Sequence, residues 1–183
     1  KLVASDRASN DRFGYSVAIS GDTAIVGAYY EDHDVDGGDT KSTAGSAYIF
    51  TRNGDTWSQT QKIVANDRQQ YDEFGKSVAI SGDTAIVGAY REDPSNAGAA
   101  YIFTRNGDTW SQTQKLVAGD RGSYDYFGYS VAISGDTAIV GASEEDKDGN
   151  DTNTGAAYIF IRNDTGVWSQ DQKITAIDRG SYD

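Results

Sequence analysis

Ser16-Val-Ala-Ile-Ser-Gly-Asp-Thr-Ala-Ile-Val-Gly-Ala28 recurs without a single change at Ser77–Ala89 and Ser130–Ala142. Exact repetition over thirteen residues decides the architecture before any local reading, because a repeat is one supersecondary unit stacked on its neighbours. Within each copy, two runs of about five residues flank Ser-Gly-Asp-Thr, the chemistry of a tight β-hairpin. Both faces of the runs are small and apolar, as expected of a sheet covered on each side. An Asp-x-Phe-Gly precedes every copy, at Asp11–Gly14, Asp72–Gly75 and Asp125–Gly128. An acidic stretch and then Gly-x-Ala-Tyr-Ile-Phe follow each one.

Lysines at Lys1, Lys62, Lys115 and Lys173 mark repeat starts, with spacings of 61, 53 and 58 residues. The reading divides the chain into repeats 1–61, 62–114 and 115–172, with 173–183 opening a fourth. Nearly all length variation lies between the glycine of the constant block and the glycine before Ala-Tyr-Ile-Phe. That distance is 18 residues from Gly27 to Gly45, 10 from Gly88 to Gly98, and 14 from Gly141 to Gly155. Insertions confined to one loop put the variable surface on one face of the array. A third strand is expected from Ala47 to Arg52, turning at Asn53-Gly54, and a fourth from Trp57 to Ala65 whose Ser/Gln/Lys alternation suits an outer edge.

Four short antiparallel strands per repeat, small residues on the inner pair and tryptophan on the outermost, describe an all-β fold of propeller blades. Trp57, Trp110, Trp168, Tyr48, Tyr101 and Tyr158 are read as packing between blades. Propellers close with about four to eight blades, so three imply a longer array or completion by oligomerisation.

Asp-x-Phe-Gly-x-Ser-Val-Ala, Gly-Asp-Thr-Ala-Ile-Val-Gly-Ala, the acidic loop and Gly-x-Ala-Tyr-Ile-Phe together resemble the FG-GAP repeat of integrin α-subunit propellers. The resemblance is closest to the bacterial and algal surface-protein branch and covers essentially the whole chain. It implies a β-propeller blade, an extracellular or cell-surface setting, and in many members a calcium ion in the acidic loop.

The loop sequences fit that implication. Asp32-x-Asp34-x-Asp36 and Asp146-x-Asp148-x-Asn150 each begin five residues after the constant glycine. Alternate side chains of a tight loop can present oxygens to one calcium ion, which takes six to eight. The acid at loop position twelve is absent, since Thr43 and Ala157 stand there. The resembling loops instead use a later aspartate, for which Asp39 and Asp151 are nearest. The expected ligands are thus Asp32, Asp34, Asp36 and Asp39 in repeat one, and Asp146, Asp148, Asn150 and Asp151 in repeat three. Repeat two, with Asp93-Pro94-Ser95-Asn96, is expected to bind no ion. Affinity should be weak, on the order of 10⁻⁴–10⁻³ M.

A second acidic set, Asp6, Asp67, Asp120 and Asp178, each followed by arginine, has Asp11, Asp72, Asp125 and Asp183 five residues on. These are read as acceptors of backbone N–H groups in the loop leading into each blade. In Phe-Gly, phenylalanine is expected to fill the gap between blades and glycine to permit the turn.

With a formal charge of −12, no basic surface for nucleic acid or anionic lipid is expected, and cations are favoured partners. No apolar run approaches the roughly 20 residues needed to cross a bilayer as a helix. There is no cysteine and one histidine, His33, so nucleophilic triads have no support and no catalytic residue is assigned. The sequons at Asn150 and Asn163 are read as chance occurrences in an Asn/Thr-rich chain. The expected role is an extracellular calcium-binding structural or adhesive module of a surface protein or fibre, which associates with itself or with neighbouring repeats. The alternatives are recognition of a protein or glycan ligand through the variable loops, or service as an accessory domain of a larger enzyme.

Overall fold

The computed structural model describes residues 1–38, 40–92, 95–146 and 153–177. Each constant block forms a hairpin: β1 (Ser16–Ser20) with β2 (Thr23–Ala28), β5 (Ser77–Ser81) with β6 (Thr84–Ala89), and β9 (Phe127–Ser134) with β10 (Thr137–Ala142). The Ala-Tyr-Ile-Phe segments give β3 (Ser46–Asn53), β7 (Ala99–Asn106) and β11 (Ala156–Arg162). The tryptophan segments give β4 (Thr56–Ile63), β8 (Thr109–Leu116) and β12 (Trp168–Ile174). Among the described residues every regular element is a strand, and the strands make three antiparallel four-stranded sheets, each in chain order. These are three propeller blades in an open array.

Pleating sorts each blade into two faces. Ile25, Ala47, Ile49 and Ile63 point from blade one towards the next blade and meet Phe74, Val78, Ile80, Val87 and Tyr101 there. Ile86, Ala100, Ile102 and Leu116 of blade two meet Phe127, Val140, Tyr158, Phe160 and Trp168 of blade three in the same way. Tyr101, Tyr158, Trp110 and Trp168 therefore serve as packing between blades, whereas Tyr48 and Trp57, with no blade before theirs, pack within repeat one. A bulge after Ile49 recurs after Ile102 and Ile159, shifting the outer strand by one residue at the same place in every blade.

The joint between blades is made by Phe-Gly. Phe74 is fully buried, its ring edge-on to Tyr101 and Phe103 at 5.6 and 5.9 Å, and its N–H donates to Ala44 O of blade one at 2.9 Å. Gly75 follows at φ +90°, a conformation that side chains disfavour. Its carbonyl accepts Ser16 Oγ at 2.7 Å, and its N–H donates to Gly88 O at 3.0 Å. Any Cβ on Gly27 of blade one would overlap the Gly75 carbonyl, so the close approach needs glycine on both sides. Phe127 and Gly128 repeat each contact against Ala97, Ser77 and Gly88. The expected roles of phenylalanine and glycine are both observed.

Candidate functional site

The loop leaving β2 is anchored before it varies. Glu31 N–H donates to Ala28 O at 3.0 Å, and Gly45 N–H returns to Glu31 O at 2.9 Å, closing the loop at its base. Glu92 with Gly98, and Glu145 with Gly155, make the same closure at 3.0 Å each. In repeat one the chain beyond Glu31 runs out and back as a small hairpin, with His33 bridged to Thr40.

Carboxylates hold the tip of that hairpin. Asp34 Oδ1 accepts the N–H groups of Asp36 at 3.1 Å and Gly38 at 2.9 Å, and Gly37 N–H reaches Asp34 O at 3.2 Å. Asp32 Oδ1 accepts Thr43 N–H at 2.6 Å. Asp146 Oδ1 accepts Asn153 N–H at 3.2 Å, the matching bond in repeat three. Asp34 and Asp36 therefore share the turn at the tip, Asp32 stands at the base of the hairpin opposite Thr43, and Asp32 and Asp146 are structural equivalents. Asp39, Asp148, Asn150 and Asp151 lie outside the described residues, as do Asp93 and Pro94 of repeat two. Among the described residues no three His, Asp or Glu side chains gather as a metal cluster. The donors that do share the turn are all oxygen, the chemistry a hard divalent cation takes.

The second acidic set splits into two roles. Asp72 Oδ2 accepts Gln69 N–H at 2.7 Å, Asp125 Oδ2 accepts Gly122 N–H at 2.6 Å, and Asp11 accepts Ala8 N–H, as expected for turn acceptors. Asp6, Asp67 and Asp120 differ from expectation: they accept from lysine side chains. Lys62 Nζ bonds Asp6 at 2.7 Å and Glu31 at 2.9 Å. Lys115 bonds Asp67 and Glu92 at 2.6 Å each, and Lys173 bonds Asp120 and Glu145 at 2.5 Å each. Each ammonium also lies 5.5–5.6 Å from a tyrosine ring, that of Tyr48, Tyr101 or Tyr158. A lysine on the fourth strand thus ties the lead-in loop to the base of the variable loop in every blade.

The charges respond accordingly. Burial works against the carboxylate of Asp6, Asp67 and Asp120, but the hydrogen-bonded lysine and the nearby tyrosine hydroxyl outweigh it and hold each below the usual range, Tyr158 donating to Asp120 at 2.9 Å. Asp11 and Asp125 move up, through burial first and then through the carboxylates around them. For Asp11 these are Glu31, Asp6 and Asp32; for Asp125 they are Glu145, Asp146 and Asp120. Acid-on-acid crowding therefore surrounds both loops with the Asp-x-Asp pattern.

The constant glutamate was legible in principle. It stands three residues after the block at Glu31, Glu92 and Glu145, while its neighbours change from Tyr-Tyr to Tyr-Arg to Ser-Glu. An acid fixed in a varying loop needs a fixed partner, and the repeating lysine is that partner. Its oxygens are committed: Glu31 also takes Ser46 Oγ at 2.7 Å and His33 N–H at 2.9 Å. His33 leans on the same carboxylate, with Nδ1 3.2 Å from Glu31 Oε1.

A third cluster lies where the lead-in loops meet the ends of the inner hairpins. Lys76 Nζ stands 4.6 Å from the ring centres of Tyr15 and Tyr29, and 5.1 and 5.4 Å from those of Tyr90 and Tyr129. The rings come from all three blades, so this cation knits the array together by cation–π attraction.

Three blades joined by interlocked Phe-Gly and Gly-Ala segments, with a variable loop on one face, define a propeller-like repeat module. The FG-GAP repeat family model matches residues 1–50, 57–103 and 110–160, and the chain belongs to that family. No curated protein matches it. Among the described residues no helix is long and apolar enough to cross a membrane.

Proposed function

We propose that the chain is a non-catalytic, extracellular structural or adhesive module whose acidic loops bind calcium and whose partners are repeats like its own. The observation that carries this reading is the acidic loop beyond Glu31. Asp34 and Asp36 stand in the turn at its tip and Asp32 at its base, and the carboxylates of Asp32 and Asp34 are each fixed by backbone N–H groups. Calcium would be held by Asp32, Asp34 and Asp36 with Asp39, and by Asp146 and its neighbours Asp148, Asn150 and Asp151. It would cross-brace each loop and supply no reactive chemistry.

Thermal and urea melts with calcium and with chelator test this. For a dissociation constant on the order of 10⁻⁴–10⁻³ M, 10 mM calcium adds about 1.4–2.7 kcal/mol per site. The gain should shrink on Asp34→Asn and vanish when Asp32→Asn and Asp146→Asn are combined. An unchanged melt at millimolar calcium removes the metal assignment.

One observation favours the second reading, recognition of a protein or glycan. Tyr15, Tyr71, Tyr124 and Tyr129 are each about half exposed, and two of them belong to the cluster around Lys76. Aromatic faces beside a cation suit such ligands. Glycan-array capture that is lost with Tyr15→Ser and Tyr129→Ser would establish this reading.

A further inference from the structure

Tyrosines outside the blade cores gather on the side of the array that carries the lead-in and variable loops. Tyr124, Tyr126, Tyr90 and Tyr129 touch in series, with ring centres 6.5, 5.3 and 5.4 Å apart, and Tyr15 meets Tyr29 at 4.5 Å. Lys76 joins the two groups, its ammonium 4.6 Å from the rings of Tyr15 and Tyr29 and 5.1 Å from that of Tyr90. The track does not depend on the outer faces of the first and last blades. Lys76 belongs to the middle blade, and Tyr71 and Tyr124 are 58% and 56% exposed although each stands in the loop between two blades. The fold gives no reason for those two rings. Tyr71 and Tyr124 lie at φ +71° and +65°, where a bulky side chain is strained, while the same turn of repeat one carries Asn10 at +76°, a residue suited to it. The cations are unusual too. Lys62, Lys115 and Lys173 each bond two carboxylates, whereas Lys76 and Arg12 make no ion pair among the described residues and lie over tyrosine rings instead. Arg91, over Tyr90, is matched by Glu73 at 3.4 Å. In a chain of net charge −12 the track is thus a locally positive surface.

We propose that this track binds an oligosaccharide bearing a uronic acid, with sugar rings against Tyr124 and the tyrosines beyond it and the carboxylate at Lys76. This rests on the recognition reading above, independently of calcium, and names the class of its ligand. Tyrosine offers an apolar face to the C–H groups of a sugar and a hydroxyl to its hydroxyls. An ammonium without an acid of its own takes a carboxylate through a charge-assisted hydrogen bond. The acidity of the whole chain limits the ligand's charge. Single carboxylates on otherwise neutral rings suit a small positive surface, whereas a dense polyanion is repelled by the rest of the molecule.

Titration calorimetry of the full chain in chelator tests this apart from calcium. The probes are xylotriose and cellotriose capped with glucuronic acid, each beside the same sugar with its carboxyl reduced to the alcohol. At least one acid form should bind with a dissociation constant below about 1 mM, and its reduced form at least about tenfold more weakly. Lys76→Gln should erase that difference and Lys76→Arg should keep it. Tyr124→Asn should weaken acid and reduced forms alike, by about three- to tenfold. Asn10 already fills that turn in repeat one, so the last variant keeps the fold, and circular dichroism verifies all three. Acid and reduced sugars that bind equally overturn the uronic acid assignment and leave recognition standing. Acid sugars that do not bind up to about 1 mM overturn the proposal, as does a preference that survives Lys76→Gln. A blank glycan array in addition removes the recognition reading itself.

Discussion

Ile25 and Ile139 occupy the same place in identical thirteen-residue blocks, yet one is fully buried and the other 36% exposed. The same holds for Ile80 and Ile19, at 8% and 65%. Local sequence makes the blade; the neighbouring Phe-Gly makes the core. Stability in such an array is then a sum of blade and junction contributions, and equivalent residues should differ in energetic weight according to the junction they serve. Four pairs of measurements can break or sharpen that comparison.

The largest contrast is expected at the Phe-Gly joint. Phe74→Ala empties a fully buried site between two blades and should cost about 3–5 kcal/mol, whereas half-buried Phe13 should cost less than half of that. Urea midpoints on the two variants check it. Next comes the lysine tie. Lys62 and Glu31 are 5% and 1% exposed, so Lys62→Met strands a buried carboxylate and should cost about 3 kcal/mol or more. Lys115, 28% exposed, should cost visibly less in the same assay.

Acid and alkali act on the same ties. Asp6, Asp67 and Asp120 are held below the usual carboxylate value, so their contribution is present above about pH 4 and is lost as pH falls through the depressed folded value. Lys115 and Lys173 are raised, because the hydrogen bonds they donate to their acid partners outweigh burial. Their contribution is present below about pH 10 and is lost as pH rises through the folded value. Asp11 and Asp125 are raised and act in the opposite sense, softening the acid limb. A pH series of urea midpoints should show this plateau, and Lys115→Met should lower it and flatten the profile, the difference from wild type shrinking towards both limbs.

The smallest effect is expected at a strained turn. Tyr71 lies at φ +71° and is 58% exposed, so Tyr71→Asn should be neutral or stabilising by up to about 1 kcal/mol. The same change at Val78, which is buried and extended, should destabilise.

Strands, hairpins and the Phe-Gly joint were readable from sequence because each depends on residues adjacent in the chain and repeated three times over. Ser-Gly-Asp-Thr, Asn-Gly and Phe-Gly announce their own geometry. The lysine ties were not readable by the same logic. Lys62 lies 56 residues from Asp6 and 31 from Glu31, and its approach to both follows from how the fourth strand folds back over the loops. Asp6 consequently read as another turn acceptor like Asp11, although only Asp11 is one. In the acidic loop, the alternation Asp32, Asp34, Asp36 was visible, but the hairpin that sets Asp32 at its base, opposite Thr43, and Asp34 and Asp36 at its tip was not. The binding of Asp34 to the N–H groups beyond it depends on local backbone geometry that the spacing alone leaves open.

The most direct test of the claim that junctions carry the fold compares Gly88→Ala with Gly141→Ala. At Gly88 the added methyl overlaps the Gly128 carbonyl across a junction; at Gly141 it meets only the movable Ser130 hydroxyl. Denaturant unfolding should show a loss upwards of about 3 kcal/mol for the first and under about 1 kcal/mol for the second. Equal losses at the two positions would contradict the account.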